Sequence, residues 1–500
     1  MVGNKDSILD INIINNSNYI DYCKTLYDDS WKISIKIAYI TYMVDFLISN
    51  VTVYFSDDFI EEKLNDISQS LAFNLSESFT KNSVLHVVTE SYSTGGHTKL
   101  LEMFIENTSS YFKKQSIVLL NQKVDLPSTL KSIANKTGEI FILEEDNIIN
   151  KAIKLANLAS SYEFIVLHIH QNEIITNLAF GNKNFKRPVF FLNHADHMFW
   201  CGVSISDYVL DLSTEGSEFS KTQRGVNKSY VLPIPIKDEK KNISKNDARN
   251  YLHLDKKSKI ILSIASEYKY GRKKEDISKF INMSMNILNN VENSIFILIG
   301  PSKNNIIWNE AYEKSNHKII PLGLQERELL SYYIASCDLY IESYPFSSYT
   351  AFLDVALYNV NMLSLNTPIF TLDVLKENNI LTNTVKEIEK RAIDLLIQND
   401  LKSSIDLSNH FQEKWLKNLK NIFDYNTKIH NLYSFKPKSS NVDYNNHINK
   451  IIMGMVTLNK TYTKLPFLLK YKLRKGIIKY EIISGIKNNI RLFRKTFISR

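Results

Sequence analysis

One segment of the chain has residue types and spacing that suit binding of a phosphate-containing ligand. In DLYIESYPFSSYTAFLDVALYN (338–359), Ser347, Ser348 and Thr350 crowd the predicted start of a helix, and Asp354 follows one turn later on the same face. Hydroxyls and free backbone N–H groups at a helix start bind phosphate, and the carboxylate suits ribose hydroxyls. The pattern is compatible with a nucleotide site, and also with a capped helix carrying a solvated aspartate.

A group of histidines follows two neighbouring predicted strands. His168 and His170 end EFIVLHIH, and His194, Asp196 and His197 come directly after RPVFFLN. One interpretation is a general base, with Asp196 or His197 taking a proton from an acceptor hydroxyl near neutral pH. A second is a metal site made by the histidines and Asp196. A third is that the histidines are structural, and these three interpretations stay open.

Two smaller features carry weaker signals. STGGHTK (93–99) is a glycine turn between a predicted strand and a helix, and it lacks the G-x-G-x-x-G pattern of dinucleotide sites. It is either close to a ligand or a plain tight turn. Arg224 is a candidate for a phosphate contact, with a surface ion pair as the alternative.

The elements that would position these residues alternate between short strands and helices from residue 81 onward. This alternation predicts βαβ units and parallel sheets, in two α/β domains whose ligand cleft lies at the carboxyl ends of the strands. The charged stretch 237–250 looks like a linker. We predict a helical region at 1–80, a first α/β domain at 81–236, a second at 251–435, and a linker with a tail at 436–500.

Composition excludes several classes of protein. The 500 residues are 44% hydrophobic and 23% charged, which excludes a disordered, collagenous or small disulfide-rich chain. The cysteines Cys23, Cys201 and Cys337 lie far apart, which predicts a reducing, cytoplasmic compartment. No apolar run approaches ~18 residues, so we expect no spanning helix. The start MVGNKDSILD lacks the pattern of a signal peptide.

The net charge of +8 is concentrated at the end of the chain. Residues 460–500 contain twelve lysines or arginines and one acid, Glu481, so this tail carries +11 and the remainder about −3. From Pro466 its apolar residues recur at helical spacing: Leu469, Leu473, Ile477, Ile478, Ile482, Ile486, Ile490, Phe493 and Phe497. A basic amphipathic helix suits an anionic membrane surface, and the alternative is an apolar face packed on the protein. We expect no nucleic-acid partner.

The segment around Asp354 resembles the nucleotide-sugar site of GT-B glycosyltransferases, in particular the O-GlcNAc transferase-like group. In that group a strand ending Leu-Asp leads to His-Thr-Thr and a helix with Asp-Val-Leu. Ile341-Glu342 resembles the strand end, Tyr349-Thr350 the start of the polar element, and Asp354-Val355 the ribose-binding position. Tyr349 in place of His and Ala351 in place of the second Thr are departures. The Glu-x7-Glu pair of the commoner retaining GT-B enzymes is missing, because Phe346 stands at its first position.

A second stretch resembles the same group. Ser266-Glu267-Tyr268-Lys269 is similar to its Gln-Leu-Tyr-Lys, whose lysine holds the diphosphate of the nucleotide sugar. The resemblance makes Lys269 the main candidate for neutralising the leaving group, with Arg272 and Lys273 as close substitutes, because a fixed cation must stabilise a departing diphosphate when no metal does so. A solvated basic loop is the alternative.

The resemblance implies a GT-B fold of two Rossmann-like domains, and a metal-independent enzyme without a cofactor. By this resemblance it would transfer a hexose or N-acetylhexosamine from a UDP-linked nucleotide sugar to a glycan or protein acceptor. It also implies that Gly95, Gly96 and His97 approach the sugar or diphosphate. Surface polysaccharide or glycoconjugate synthesis at the inner face of the cytoplasmic membrane is the expected setting. The alternatives are a protein glycosyltransferase and a non-catalytic GT-B-like subunit that binds a partner transferase.

Overall fold

The structure is a computed structural model that describes two compact units. Described are residues 3–93, 96–226, 228–237, 242–271, 274–358, 360–366, 372–377, 380–398, 405–425, 430, 462 and 465–480, with backbone alone for 3–11 and 425. The first unit comprises Met1–Ser93, Phe104–Leu232 and Lys420–Arg500, and the second comprises Thr94–Met103 and Pro233–Leu419.

The first unit contains a seven-stranded parallel sheet with the order β3-β2-β1-β4-β5-β6-β7. Its strands are β1 (Thr80–Val88), β2 (Lys114–Leu119), β3 (Ile140–Ile142), β4 (Tyr162–His168), β5 (Val189–Asn193), β6 (Tyr208–Asp211) and β7 (Ser229–Val231). The helices that alternate with them are α4 (Gly96–Thr108), α5 (Ser128–Thr137), α6 (Ile148–Ala159), α7 (Ile175–Phe180) and α8 (Thr214–Arg224). β5 is buried throughout, as expected of a parallel strand covered on both faces.

The second unit repeats this topology in a six-stranded parallel sheet, ordered β10-β9-β8-β11-β12-β13. Its strands are β8 (Lys259–Ile264), β9 (Ser294–Ile299), β10 (Ile319–Pro321), β11 (Leu339–Ile341), β12 (Asn361–Leu365) and β13 (Leu381–Thr382). Its helices are α9 (Lys245–Tyr251), α10 (Lys274–Asn290), α11 (Ile306–Lys314), α12 (Arg327–Ser336), α13 (Thr350–Ala356), α14 (Asp373–Glu377) and α15 (Val385–Gln398). A further helix, α16 (Gln412–Tyr425), begins in this unit and ends in the first. The predicted α/β class with two Rossmann-like sheets is confirmed.

The charged stretch predicted as a linker differs from that prediction, because it contains α9. Arg249 of this helix is buried, and its guanidinium pairs with Asp338 at 2.7 Å and donates to the Ser336 carbonyl at 3.0 Å. The local charge density suggested solvent exposure, but these ion pairs attach the segment to the second sheet. The second unit accordingly begins near Pro233 rather than at 251.

Three N-terminal helices form part of the first unit: α1 (Gly3–Leu26), α2 (Ile33–Ser49) and α3 (Asp58–Gln69). Glu61 of α3 is fully buried and accepts hydrogen bonds from the N–H groups of Gly202 (2.8 Å), Val203 (2.9 Å) and Ser204 (2.6 Å). A buried carboxylate is stable only with such donors. Through this contact α3 supports the segment that follows β5, which contains Asp196 and His197.

The described part of the tail is a helix packed on α1. In α17 (Phe467–Lys479), Leu469, Leu473 and Ile477 are buried in the apolar core of the first unit. These three belong to the stripe predicted to face a membrane, so for them that prediction is wrong and the packing alternative holds. The burial of an apolar stripe against the core removes more apolar area from water than an isolated tail could. Residues 481–500 lie outside the described part of the chain. No helix among the described residues is both long and apolar enough to cross a bilayer.

Candidate functional site

The candidate donor site lies where the strand order of the second sheet reverses. β8 pairs with β11 on one side and β9 on the other. The strands after β8 are therefore added towards one edge of the sheet, and those after β11 towards the other edge. Ligands of doubly wound folds bind at the carboxyl ends of the strands at such a point. The turn Glu267–Tyr270 follows β8, and the loop 342–349 follows β11. The topology therefore brings together the two segments singled out in the sequence.

Lys269 connects these two segments. Its ammonium donates to the carbonyl of Ser347 at 2.8 Å, and the N–H of Phe346 donates to the Lys269 carbonyl at 3.2 Å. Burial lowers the pKa of Lys269 to about 8, against the opposing attraction of the Glu342 carboxylate. The side chain is thus a positioned cation whose charge is sensitive to pH just above neutrality.

Glu342 organises the loop and accounts for the two predicted serine ligands. Its buried carboxylate accepts hydrogen bonds from the hydroxyls of Ser348 (3.0 Å), Ser347 (3.4 Å), Ser343 (3.2 Å) and Tyr340 (3.0 Å), and from the N–H of Ser348. Burial raises its pKa, partly offset by these donors. The Ser348 hydroxyl also accepts from the N–H of Phe352 at 3.1 Å.

The assignment of Ser347 and Ser348 as phosphate ligands is therefore corrected. Both side chains are buried and both hydroxyls are directed to a carboxylate that needs them, since an unsatisfied buried carboxylate is costly. In addition, α13 has only seven residues and begins after Tyr349, so it is a weak source of helix-dipole charge. The two serines stabilise the loop through their hydrogen bonds to the buried Glu342 carboxylate.

Tyr349 stands at a strained position in front of α13. Its φ is 52°, which places a bulky residue in the left-handed region. The Lys269 ammonium lies 5.6 Å from the centre of its ring. Strained residues of this kind persist where the surroundings fix them, and they cluster at ligand sites.

The first turns of α4 contact α13 within the second unit. A Cβ on Gly96 would lie 3.3 Å from the Thr350 hydroxyl oxygen, so the Thr350 side chain packs closely on the backbone at Gly96. One turn further along each helix, the Lys99 ammonium forms an ion pair with the Asp354 carboxylate. Asp354, the predicted ribose ligand, thus has a cationic partner that sequence reasoning missed. The sequence signal for this partner was that Lys99 lies three residues after Gly96, and hence on the same face of the helix.

Three predicted ligands lie outside the described residues: Gly95, Arg272 and Lys273. His97 is described and half-buried. Close to it, Glu102 of α4 forms an ion pair with Arg327 at 3.0 Å, a second attachment of α4 within this unit. Gly96, Thr350, Asp354 and Lys99 are therefore the residues that the structure brings together at this end of α13.

The histidines of the first unit divide into structural and accessible groups. His168 is buried, and its Nε2 lies 3.1 Å from Nδ1 of His86, whose Nε2 lies 3.2 Å from the Gln115 side-chain oxygen. Burial lowers the pKa of His86 to about 4. Burial also lowers the pKa of His194 to about 4, with His170 adding like-charge repulsion. His168 and His194 therefore fit the structural interpretation.

Asp196 and His197 remain the candidates for proton transfer. The Asp196 carboxylate lies 3.5 Å from Nδ1 of His197, an ion-pair distance that is long for a hydrogen bond. His197 also lines a small cleft next to Phe55 and Met198, with further lining from Leu47, Ile48, Asn50, Val51, Thr52, Tyr54 and Phe199. A partly exposed imidazole beside a carboxylate can accept a proton from a hydroxyl in this cleft.

Arg224 is neither a phosphate ligand nor a surface ion pair. Its guanidinium is fully buried among the rings of Phe55, Trp200 and Phe219. It donates to the carbonyls of Asp196 and of Met198, the latter at 2.7 Å. Arg224 therefore fixes the loop on both sides of His197, because the carbonyls of the preceding and the following residue accept from the same guanidinium.

The metal interpretation finds no ligand set in the described part of the chain. No three His, Cys, Asp or Glu side chains are grouped there as metal ligands. The His168–His86 contact explains part of this, because it withdraws His168 into the sheet. Its partner His86 was not singled out from the sequence, since a histidine inside an apolar strand gives no local signal of its contacts.

The fold defined by the two sheets is that of the GT-B glycosyltransferases. HepE (Alr3699) of Anabaena in complex with UDP-glucose is similar at 12% identity and a TM-score of 0.52, over 68% of this chain and 98% of that one. The apo form of the lipopolysaccharide outer core galactosyltransferase WaaB is similar at 12% identity and a TM-score of 0.50, over 69% and 99%. At such identities the likeness concerns the fold. The sequence matches no protein-family model and no curated protein sequence.

Proposed function

We propose that this chain is a glycosyltransferase that uses a nucleotide sugar, with UDP as the nucleotide. The observation that carries the proposal is the position of Lys269: a half-buried cation, held by the loop after β11, at the reversal point of the second sheet. A scaffold has no need of a half-buried lysine at this point, because even partial desolvation of an ammonium is costly. HepE, which shares the fold, is described in complexes with UDP and with UDP-glucose.

The roles we propose follow from charge and position. Lys269 pairs with the diphosphate and stabilises the negative charge that grows on it as the glycosidic bond breaks. Asp354 accepts hydrogen bonds from ribose hydroxyls, and Thr350 and Gly96 lie at the same end of α13. In the first unit His197 removes the proton of the acceptor hydroxyl, and Asp196 stabilises the resulting imidazolium.

We further propose that the transfer requires no metal and no cofactor. The support is chemical: a fixed ammonium beside the departing diphosphate supplies the charge that a divalent cation would otherwise supply. Turnover measured in the presence of excess chelator should match turnover with added Mg²⁺. A loss of activity on chelation would contradict this part of the proposal.

The setting we propose is synthesis of a surface glycan or glycoconjugate at the inner face of the cytoplasmic membrane. WaaB, similar in fold, is described as a lipopolysaccharide galactosyltransferase. The basic tail, residues 460–500 with +11, supports attraction to anionic lipid. A hexose or N-acetylhexosamine is the expected sugar, and a glycan or a protein the expected acceptor.

The test is nucleotide binding followed by a donor screen. UDP-agarose should retain the intact chain, and Lys269→Ala and Asp354→Ala should each weaken UDP binding about tenfold to a hundredfold, as expected for a lost charged hydrogen bond. Lys318→Ala, which changes an exposed basic residue at the amino end of β10 in the second unit, is the matched control. A panel of UDP-sugars should then show hydrolysis of one donor. An unchanged affinity for UDP in both site variants would contradict the proposed donor site.

A non-catalytic GT-B-like subunit that binds a partner transferase is the second candidate. The observation that favours it is that Asp354 and the loop hydroxyls have protein partners, Lys99 and Glu342. Such a subunit would neither bind UDP nor hydrolyse any UDP-sugar. Retention on UDP-agarose that is lost in Lys269→Ala would therefore decide for the enzyme.

A further inference from the structure

Helix α17 has two faces, and within the described part of the chain one of them is buried and the other is exposed. The buried face carries Leu469, Leu473 and Ile477. Gly476 fixes how closely and at which rotation the helix sits on α1, because a Cβ there would lie 2.5 Å from the ring of Tyr22. The Tyr22 hydroxyl donates to the Lys472 carbonyl at 3.1 Å. The rotation of α17 about its axis is therefore set by contacts with α1.

The opposite face carries a second row of apolar side chains. Phe467, Leu468, Tyr471 and Ile478 are exposed, at 73%, 64%, 50% and 63%. Phe467, Tyr471 and Ile478 follow one another by four and seven residues, which places them on one line along the helix. A helix that is apolar on two opposite sides is not explained by packing on a single neighbour.

Basic side chains border this outer row. Lys472, Arg474, Lys475 and Lys479 are exposed, and α17 contains no acidic residue. The Lys475 ammonium lies 4.8 Å from the ring centre of Tyr471. An apolar row with an aromatic residue and lysines on its borders is the pattern of helices that lie in the interface of an anionic bilayer. Lysine stems cover apolar surface while their charges reach the lipid headgroups.

We propose that the outer face of α17, defined by Phe467, Tyr471 and Ile478 with Lys475 and Lys479, binds the surface of an anionic lipid bilayer. This inference rests on the proposed membrane setting and identifies the surface that serves it. The helix lies flat, with the outer row in the acyl boundary and the inner row in the protein core. The structure thereby divides the stripe predicted from sequence: Leu469, Leu473 and Ile477 hold the helix on the protein, whereas Ile478 belongs to the outer row that meets the lipid.

The experiment is sedimentation of the full chain with vesicles. One preparation contains phosphatidylglycerol and phosphatidylcholine in equal parts, and the other contains phosphatidylcholine alone. Deleting the tail would also remove core residues such as Leu473, so point substitutions on the outer face are the cleaner change. The apolar variant is Phe467→Ser with Ile478→Ser, and its matched control is Ile306→Ser with Leu324→Ser, two residues of similar exposure in the second unit.

The charge variant is Lys475→Glu with Lys479→Glu, and its matched control is Lys123→Glu with Lys314→Glu, which changes the net charge equally. We expect the intact chain and both controls to sediment with the anionic vesicles at low salt and to be released by high salt. Each outer-face variant should bind at least tenfold more weakly, because each lysine near the surface contributes several-fold to partitioning. Thermal unfolding and UDP retention should not change in any of the variants.

The outcomes separate the inference from the proposals on which it rests. Binding by the intact chain that is unaffected in both outer-face variants overturns the assignment of the face and leaves the membrane setting intact. Equal binding to neutral vesicles overturns the role of charge. No binding to either vesicle overturns the membrane setting as well, while UDP retention in the same samples keeps the donor site independent of this result.

Discussion

The ammonium of Lys99 in α4 and the carboxylate of Asp354 in α13 form an ion pair. Both side chains are partly exposed, so the pair contributes about 0.2–1 kcal/mol at most. Its consequence for the donor site is larger than its strength suggests, because ribose hydroxyls that bind Asp354 must share or replace this contact. In the proposed donor site, the pair would therefore oppose nucleotide binding.

Removing Lys99 should therefore strengthen UDP binding. In Lys99→Met the ribose competes with no cation, and we expect an affinity up to about fivefold higher, the equivalent of one exposed ion pair. Isothermal titration of UDP measures this. Lys113→Met, a basic residue beyond α4, should behave as wild type. Weaker binding in Lys99→Met would instead make Lys99 a ligand of the nucleotide.

The affinity for UDP should decrease as pH rises through about 8. Lys269 has a pKa of about 8 because burial disfavours its charge, so the unliganded site loses its cation above that value, while the diphosphate remains anionic. A series of UDP titrations from pH 6.5 to 9.5, a range of about three pH units that includes the pKa of Lys269, should show this fall in wild type. Lys269→Met should bind weakly at every pH and show no such dependence. A pH-independent wild type would contradict the assignment.

Substitution of the base should impair turnover without affecting the nucleotide. We expect His197→Ala and Asp196→Ala to lower kcat by ~10²–10⁴, with UDP affinity close to that of wild type. His317, an exposed histidine in the second unit, supplies the control His317→Ala. If both variants keep wild-type turnover, the base is elsewhere, and the cleft beside His197 has another use.

Glu61→Ala should destabilise the first unit. It leaves the N–H groups of Gly202, Val203 and Ser204 without their acceptor in a buried place, which costs about 3 kcal/mol or more. The neighbouring Glu62 is exposed, so Glu62→Ala should change stability by less than ~0.5 kcal/mol. Urea unfolding of both variants provides the comparison. Equal midpoints would contradict the proposed support of the loop.

The pair His86–His168 should make stability fall on acidification. The folded pKa of His86 is about 4 and the unfolded value about 6.5, so between these values the unfolded chain binds more protons. The stability that comes from neutral His86 is complete above pH ~6.5 and is lost as pH falls towards 4. His86→Gln should be less stable at pH 7 and show a shallower decline over this interval. An identical slope in both proteins would contradict it.

The sequence by itself determined the α/β class, the parallel sheets, the position of Lys269 just after a strand and that of Asp354 in the helix after the next loop. These depend on local patterns: short apolar runs, helical spacing and the polar residues that interrupt them. A helix or strand leaves such a pattern regardless of its neighbours. For the same reason the basic tail and its helical repeat were visible as soon as charge was counted along the chain.

Only the tertiary structure decided what each of these side chains contacts. The Ser348 hydroxyl donates to Glu342, Asp354 is paired with Lys99, and Arg224 is buried among aromatic rings. In α17 two apolar rows share one helix, and periodicity cannot say which of them the protein buries. That choice depends on Gly476 and Tyr22, which lie 454 residues apart in the chain. The spacing of residues within a helix does not reveal a partner so distant in sequence. Which side chains are buried or paired depends on the surface that the tertiary fold places next to them.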